Sequence, residues 1–341
     1  MAAMNTLGYG TKRIDNNYGK RKGCGRYYVF FILTVLIIGG VWYILRSGKS
    51  SGTAPNATAP GEQTPVAVEA QPDKPMAFAD ADSQRPVISQ QKTYPEAVRL
   101  CAEAEKLFTD SQYPQARETA LKALASIDDE ASPEWDKAAR LLGRINIKIF
   151  TTNCPLPGKK ERYVVQRGDF LQRLANKFNT TVPAIQQANG ISLNSNSIMV
   201  GQTLFIYNGN WRIKVSKSRY KLYLYDGDEL FKLYDVSIGK QDRTPVGSFK
   251  ISSRTLNPDW YAPNGEKIPF GDERNVLGTR WLRLTSTDAD KNNLTGYGIH
   301  GTWERDSIGQ SRSNGCIRML NEDVEELYSI VPINTEVVIE D

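Results

Sequence analysis

One histidine, His300, serves the whole chain, and only four cysteines accompany it. No cluster of His, Cys, Asp and Glu has metal-ligand spacing and no glycine-rich loop of the phosphate-cradling kind is present, so no metal and no cofactor are expected. The same scarcity excludes any mechanism that needs two imidazoles. Charge of one sign is lacking as well. There are 43 basic against 38 acidic residues, and the first 50 positions alone hold eight basic and one acidic, leaving a nearly neutral body. A nucleic-acid-binding domain would carry its basic excess on the folded part, so no nucleic-acid partner is expected.

One uncharged run stands out. Tyr27 to Leu45 is 19 residues long without a charge, enough to cross the roughly 30 Å hydrocarbon core of a bilayer as a helix. Lys12, Arg13, Lys20, Arg21, Lys22 and Arg26 precede it, whereas only Arg46 and Lys49 closely follow. Basic flanks stay cytoplasmic, so residues 1–26 read as a cytoplasmic tail and 27–45 as a single-pass membrane anchor that leaves the C-terminal domains outside. A cleaved secretory signal is the rival reading, and it too exports the body. Residues 46–94, rich in Ala, Pro, Ser, Thr and Gln, read as a disordered linker that sets the reach of the C-terminal domains.

That topology sorts the cysteines. Cys24 lies on the cytoplasmic flank, as a bystander or a lipidation site. Cys101 and Cys154 are exported and either pair or stay free, since spacing alone does not fix a disulfide. Cys316 is left over, and an unpaired exported thiol invites a reactive role.

From residue 95 to 150 apolar residues recur with helical spacing in three stripes: Ala97, Cys101, Ala104; Ala116, Ala120, Leu124; Trp135, Leu142, Ile149. Pro95, Pro114 and the Ser132/Pro133 pair mark the helix starts. The pattern faintly resembles a tetratricopeptide-type hairpin. It either spaces its neighbours with a small core of its own or offers a surface to a protein partner.

Residues 162–208 read as strand, helix, helix, strand. The stretches YVVQRGD, LANKF, QQANGI and VGQTLFIY resemble a LysM module over its whole length. The resemblance implies binding to N-acetylglucosamine-containing glycan strands, in a groove formed by the loop at Gly168 and Asp169 and the loop beginning at Asn189 and Gly190.

Residues 211–341 are dominated by strands. Tyr220–Tyr225 and Leu230–Val236 flank an Asp226/Gly227 hairpin turn; further strands are expected at Gly247–Ser253, Trp281–Leu284, Tyr297–His300 and Glu336–Ile339. Asn321–Val331 reads as the one clear helix, with Asn321 as its cap. The expected fold is a mostly-β domain.

Chemistry concentrates in YGIHGTWERDSIGQSRSNGCIRM, residues 297–319. A free thiol has a pKa near 8.5 and is mostly protonated at neutral pH, so a cysteine nucleophile needs a base beside it. His300 is the only imidazole that can serve Cys316. Gly315, just before the thiol, allows neighbouring N–H groups to converge on one point, as a tetrahedral oxyanion requires. Singly, His300 reads as a structural histidine and Cys316 as a small buried hydrophobe; together in this segment the functional reading prevails.

The segment resembles the YkuD-type L,D-transpeptidase catalytic domain, together with TPVGSFKI, NPDW, LGTRWLRL and the helix after the motif, about 130 residues in all. The resemblance implies an L,D-transpeptidase-like β-sandwich and peptidoglycan cross-linking. Cys316 would attack the third residue of a stem tetrapeptide, release the terminal D-alanine and hold a thioester until an amine of a neighbouring stem resolves it. It further implies that His300 is the base, that the Gly301 carbonyl orients its ring, and that Gly315 and Cys316 N–H groups form the oxyanion hole. Ser313 would order the loop, and Arg318 would either clamp a substrate carboxylate or pair with an acidic neighbour. Many relatives carry histidine where this chain has Asn314, a departure that leaves the Cys/His pair intact. Transfer to water or to a protein lysine, and a non-catalytic wall-binding scaffold, are the alternatives.

Overall fold

Three alanine-rich stripes, two short turns and a mostly alternating C-terminal third translate into two kinds of layer. A computed structural model describes residues 92–291 and 293–341. The expected cytoplasmic tail, membrane anchor and nearly all of the linker lie outside them. Among the described residues no helix is long and apolar enough to cross a membrane.

Helices α1 (Pro95–Thr109), α2 (Tyr113–Ala125) and α3 (Pro133–Thr151) each start with proline in the first turn, where its missing N–H leaves nothing unpaired. At α3 the Ser132 hydroxyl also accepts from the Trp135 N–H. Ala97, Ala104, Ala116, Ala120, Ala138 and Ala139 are almost fully buried, and small side chains let the helices approach closely. The spacer reading expects a core of their own, and here the structure differs. Tyr223, Leu230 and Leu233 of the following sheet complete it. Cys101 and Cys154 are free thiols, so of the two readings the unpaired one holds.

Next comes β1 (Lys160–Val164), α4 (Leu171–Lys177), α5 (Val182–Ala188) and β2 (Thr203–Tyr207), with β1 and β2 antiparallel. Val165, Leu171, Leu174, Ile185 and Leu204 make a separate small core. Lys160 is buried in an unusual way: its ammonium donates to the Ile149, Phe150 and Thr152 carbonyls, closing the C-terminus of α3. Burial pulls its pKa down to about 8.

The rest is one eight-stranded mixed sheet. Its members are β3 (Trp211–Ser216), β4 (Lys221–Asp226), β5 (Glu229–Asp235), β7 (Gly247–Leu256), β10 (Arg280–Ser286), β11 (Gly298–Thr302), β13 (Ile317–Leu320) and β14 (Glu336–Glu340). Their order is β13-β11-β10-β7-β14-β3-β4-β5. Leu224 and Phe231 from one end and Ile299 and Met319 from the other share a core with Val324 and Leu327 of α6 (Asn321–Ile330). The sheet therefore curls about a common interior, giving the two facing layers of a sandwich from a single ladder. Two small pairs remain: β6 (Ile238–Gly239) with β12 (Ser311–Ser313), and β8 (Trp260–Tyr261) with β9 (Lys267–Ile268).

The edge strand β5 shows why the helices belong to the fold. The β4/β5 register steps over Phe231, a bulge that leaves its carbonyl outside the ladder. The buried Asn146 amide of α3 donates to that carbonyl at 2.8 Å, and Arg117 donates to the Asn146 oxygen at 2.9 Å. An otherwise exposed sheet edge is thus covered and its backbone satisfied. Asp226, expected as a turn residue, is buried instead and accepts from the Tyr207 hydroxyl at 2.9 Å and the Asn210 N–H at 2.8 Å.

Candidate active site

Strand register brings the chemistry together. In β11 and β13, which run parallel, Ile299 is opposite Ile317 and His300 opposite Arg318. Cys316 is one residue before β13 and so lies level with Gly298. Side chains alternate between faces along a strand. Ile299 and Ile317 therefore point into the core, while Gly298, His300, Cys316 and Arg318 share the other face. Trp281 of β10 is opposite His300, and their rings lie 5.7 Å apart. Cys316 and Trp281 line one cavity of about 450 Å³, walled also by Trp260, Tyr261 and Leu277.

His300 is 3 % exposed. Its Nδ1 lies 2.7 Å from the Gly301 carbonyl. A carbonyl only accepts, so Nδ1 carries the proton and Nε2 keeps its lone pair, the tautomer a general base requires. Burial brings the imidazole pKa down to about 4; the Gly301 and Leu277 backbone oppose that fall and the Arg318 charge adds to it. Burial pushes the Cys316 thiol up, against the pull of the Gly298 backbone and Arg318. Both shifts favour neutral partners at rest. The thiol itself donates to the Gly296 carbonyl at 3.5 Å rather than to the imidazole.

The loop before the thiol is closed by its own side chains. The Ser313 hydroxyl donates to the Cys316 carbonyl at 2.6 Å and accepts from the Gly315 N–H at 3.0 Å. Gly315 has φ +134, and a Cβ there would come within 2.8 Å of the Tyr297 ring. The expectation that Gly315 N–H serves an oxyanion therefore needs correcting: that donor is occupied by Ser313, because the tight turn folds the hydroxyl back over it. Asn314 points outward and is exposed.

Two positions were not expected from sequence. Thr244, almost fully buried, accepts from the Gly239 N–H at 2.7 Å and donates to the Gly315 carbonyl at 3.0 Å, tying the nucleophile loop to β6. Its signal was present as the first residue of TPVGSFKI, whose role no local pattern reveals. Asn321 does not cap α6: the cap position is Leu320 and no side-chain cap bond forms. Its Oδ1 instead accepts from the Thr279 N–H at 3.1 Å and fills the space above Gly301, where a Cβ would lie 2.1 Å away. The helix start is used to hold the strand whose carbonyl orients His300.

Arg318 donates to Glu304 at 3.1 Å and is largely buried, so in this structure it pairs with an acidic neighbour rather than standing free. In the small module, Asp169 accepts from the Tyr163 hydroxyl and the Gln166 N–H, both at 2.8 Å. Asn189 exchanges two hydrogen bonds with the Phe205 backbone. Both side chains brace the loops expected to bind glycan. Gly168 and Gly190 turn those loops with φ +91 and +63.

Residues 210–339 match the L,D-transpeptidase catalytic domain and residues 163–206 the LysM domain. YkuD of Bacillus licheniformis is 39 % identical over 184 residues, spanning 52 % of this chain and 97 % of that protein. YkuD of Bacillus subtilis is 36 % identical over the same length, with the same shares. Among solved structures, an L,D-transpeptidase from Mycobacterium smegmatis aligns over 42 % of this chain and 65 % of its own, at 16 % identity and a TM-score of 0.32.

Proposed function

This chain belongs to the YkuD-type L,D-transpeptidase family, with a LysM domain ahead of the catalytic domain, and from that premise we propose that it cross-links peptidoglycan through a thioester on Cys316. The Cys316 sulfur attacks the carbonyl carbon of the third residue of a stem tetrapeptide. Its proton passes to Nε2 of His300. The C–S bond forms, the C–N bond breaks, and the imidazolium protonates the departing D-alanine. An amine of a second stem then attacks the thioester, and the thiol is restored.

The observation that supports this reading is the shared face of β11 and β13, which carries both Cys316, a wall of the cavity, and the buried His300, with the imidazole in the basic tautomer. Burial lowers the imidazole and raises the thiol, which favours a neutral pair at rest and, in this reading, proton transfer as the substrate is attacked. The Cys316 N–H is the donor we assign to the developing oxyanion, with Gly315 positioned by Ser313 to present it. The LysM domain binds the glycan strand through the loops at Gly168/Asp169 and Asn189/Gly190, raising the local concentration of stems. Residues 27–45 anchor the chain in the cytoplasmic membrane with both domains facing the wall.

Incubating the detergent-solubilised chain with disaccharide tetrapeptide and following products by mass spectrometry tests the proposal. Dimers lacking one alanine are expected. Tripeptide monomers alone would assign water as the acceptor, and unchanged substrate with folded protein would leave a wall-binding scaffold.

A further inference from the structure

A second row of side chains crosses the same face of the sheet. Arg283 of β10 is opposite Gly298 of β11, which is level with Cys316. Arg283 is exposed and lines the cavity that holds the thiol. Among the described residues its guanidinium has no carboxylate partner. The only other charged side chain lining that cavity, Asp259, is paired with Lys267 at 2.8 Å. The cavity therefore presents one uncompensated positive charge, and its chemistry calls for an anion.

The position is specific. Between Arg283 and Cys316 stands Gly298, where a Cβ would lie 2.6 Å from the Trp281 indole. The indole thus packs directly on Gly298 and forms an aromatic wall of the cavity between guanidinium and sulfur, over which a substrate can lie. Two inter-strand spacings separate the two Cα atoms by roughly 10 Å, which accommodates a thiol attacking a carbonyl, one further residue, and a carboxylate in contact with the guanidinium. The β7/β10 register also shifts between Arg283 and Leu284, and a bulge of this kind re-aims the side chain beside it.

We propose that Arg283 reads the free terminal carboxylate of the donor stem, the one carried by the residue that leaves, and so restricts the enzyme to stems ending one residue beyond the scissile bond. This assignment rests on the proposed transpeptidation. An arginine–carboxylate contact in a partly enclosed site contributes a charge-assisted, bidentate bond that an amide cannot replace.

The test compares the full chain and its Arg283→Gln and Arg283→Lys variants on three disaccharide tetrapeptides: the free acid, the C-terminal carboxamide, and one amidated only at the side-chain carboxylate of the third residue. Cys316 acylation is read by intact-protein mass spectrometry. The wild type should prefer the free acid over the C-terminal carboxamide by about 10- to 100-fold in kcat/KM. Arg283→Gln should erase that preference by losing rate on the free acid alone, and Arg283→Lys should keep part of it. An unchanged ratio, or equal losses on acid and carboxamide, overturns the assignment. So does a variant whose lost preference concerns the side-chain carboxylate instead. Wild-type acylation with a flat ratio sinks only this inference, whereas no acylation of the wild type by any substrate sinks the proposed function with it.

Discussion

Ser313 and Cys316 are joined by a 2.6 Å hydrogen bond from hydroxyl to carbonyl, and the same hydroxyl takes the Gly315 N–H at 3.0 Å. One small side chain thereby fixes the backbone on both sides of the Gly315–Cys316 peptide. Ser313→Ala should lower the acylation rate about 10- to 100-fold with little change in substrate KM, because it loosens the oxyanion donor and not the substrate contacts. Pre-steady-state acylation by a β-lactam or muropeptide separates the two effects.

Thr244 acts one step further out. Replacing it by valine keeps the volume but orphans the buried Gly239 N–H and Gly315 carbonyl that it bridges. A loss of about 1–3 kcal/mol in unfolding free energy is expected, measured by denaturant titration, together with slower acylation.

Gly301 and Asn321 form a space-filling pair. Gly301→Ala would drive a methyl into the Asn321 carboxamide, since a Cβ at position 301 would lie 2.1 Å from Oδ1. Destabilisation of about 1–3 kcal/mol and loss of activity should follow, because the Gly301 carbonyl holds the imidazole tautomer. The double variant Gly301→Ala/Asn321→Gly should recover part of the stability, read as a Tm shift.

The pH profile follows from the buried imidazole. His300 must be neutral to accept a proton, and its pKa is held down to about 4, first by burial and then by Arg318. The acid limb of kcat/KM is therefore expected at about pH 4, well below the ordinary histidine value, with activity lost as pH falls through it. Arg318→Gln removes a like charge, so the limb should move to higher pH. A limb that stays in place would separate Arg318 from the imidazole electrostatically.

Much of this was legible in the chain. The three proline-started helices, the Asp226/Gly227 hairpin and the strands at Gly247, Trp281 and Glu336 follow from periodicity and turn chemistry, and the structure places them within a few residues of expectation. The candidate pair stands out in the sequence because it is local: His300 and Cys316 sit in one 23-residue segment. What escaped depends on distant partners. Asn321 has the chemistry of a cap, and only the approach of Thr279 and Gly301 diverts it. Asn146 sits in a helical stripe with nothing nearby in sequence to say that it answers a bulge at Phe231, 85 positions on. Gly315 suggested a free N–H, but the hydroxyl that occupies it is placed by the curvature of the turn.

Trapping the thioester tests the central claim most directly. The chain is mixed with disaccharide tetrapeptide, quenched in acid within the first turnover, digested and analysed by mass spectrometry. The account predicts a disaccharide-tripeptide adduct on the peptide containing Cys316, absent from Cys316→Ala and weak in His300→Gln. Cross-linked product formed by Cys316→Ala, or turnover by the wild type with no adduct on that peptide, would contradict it.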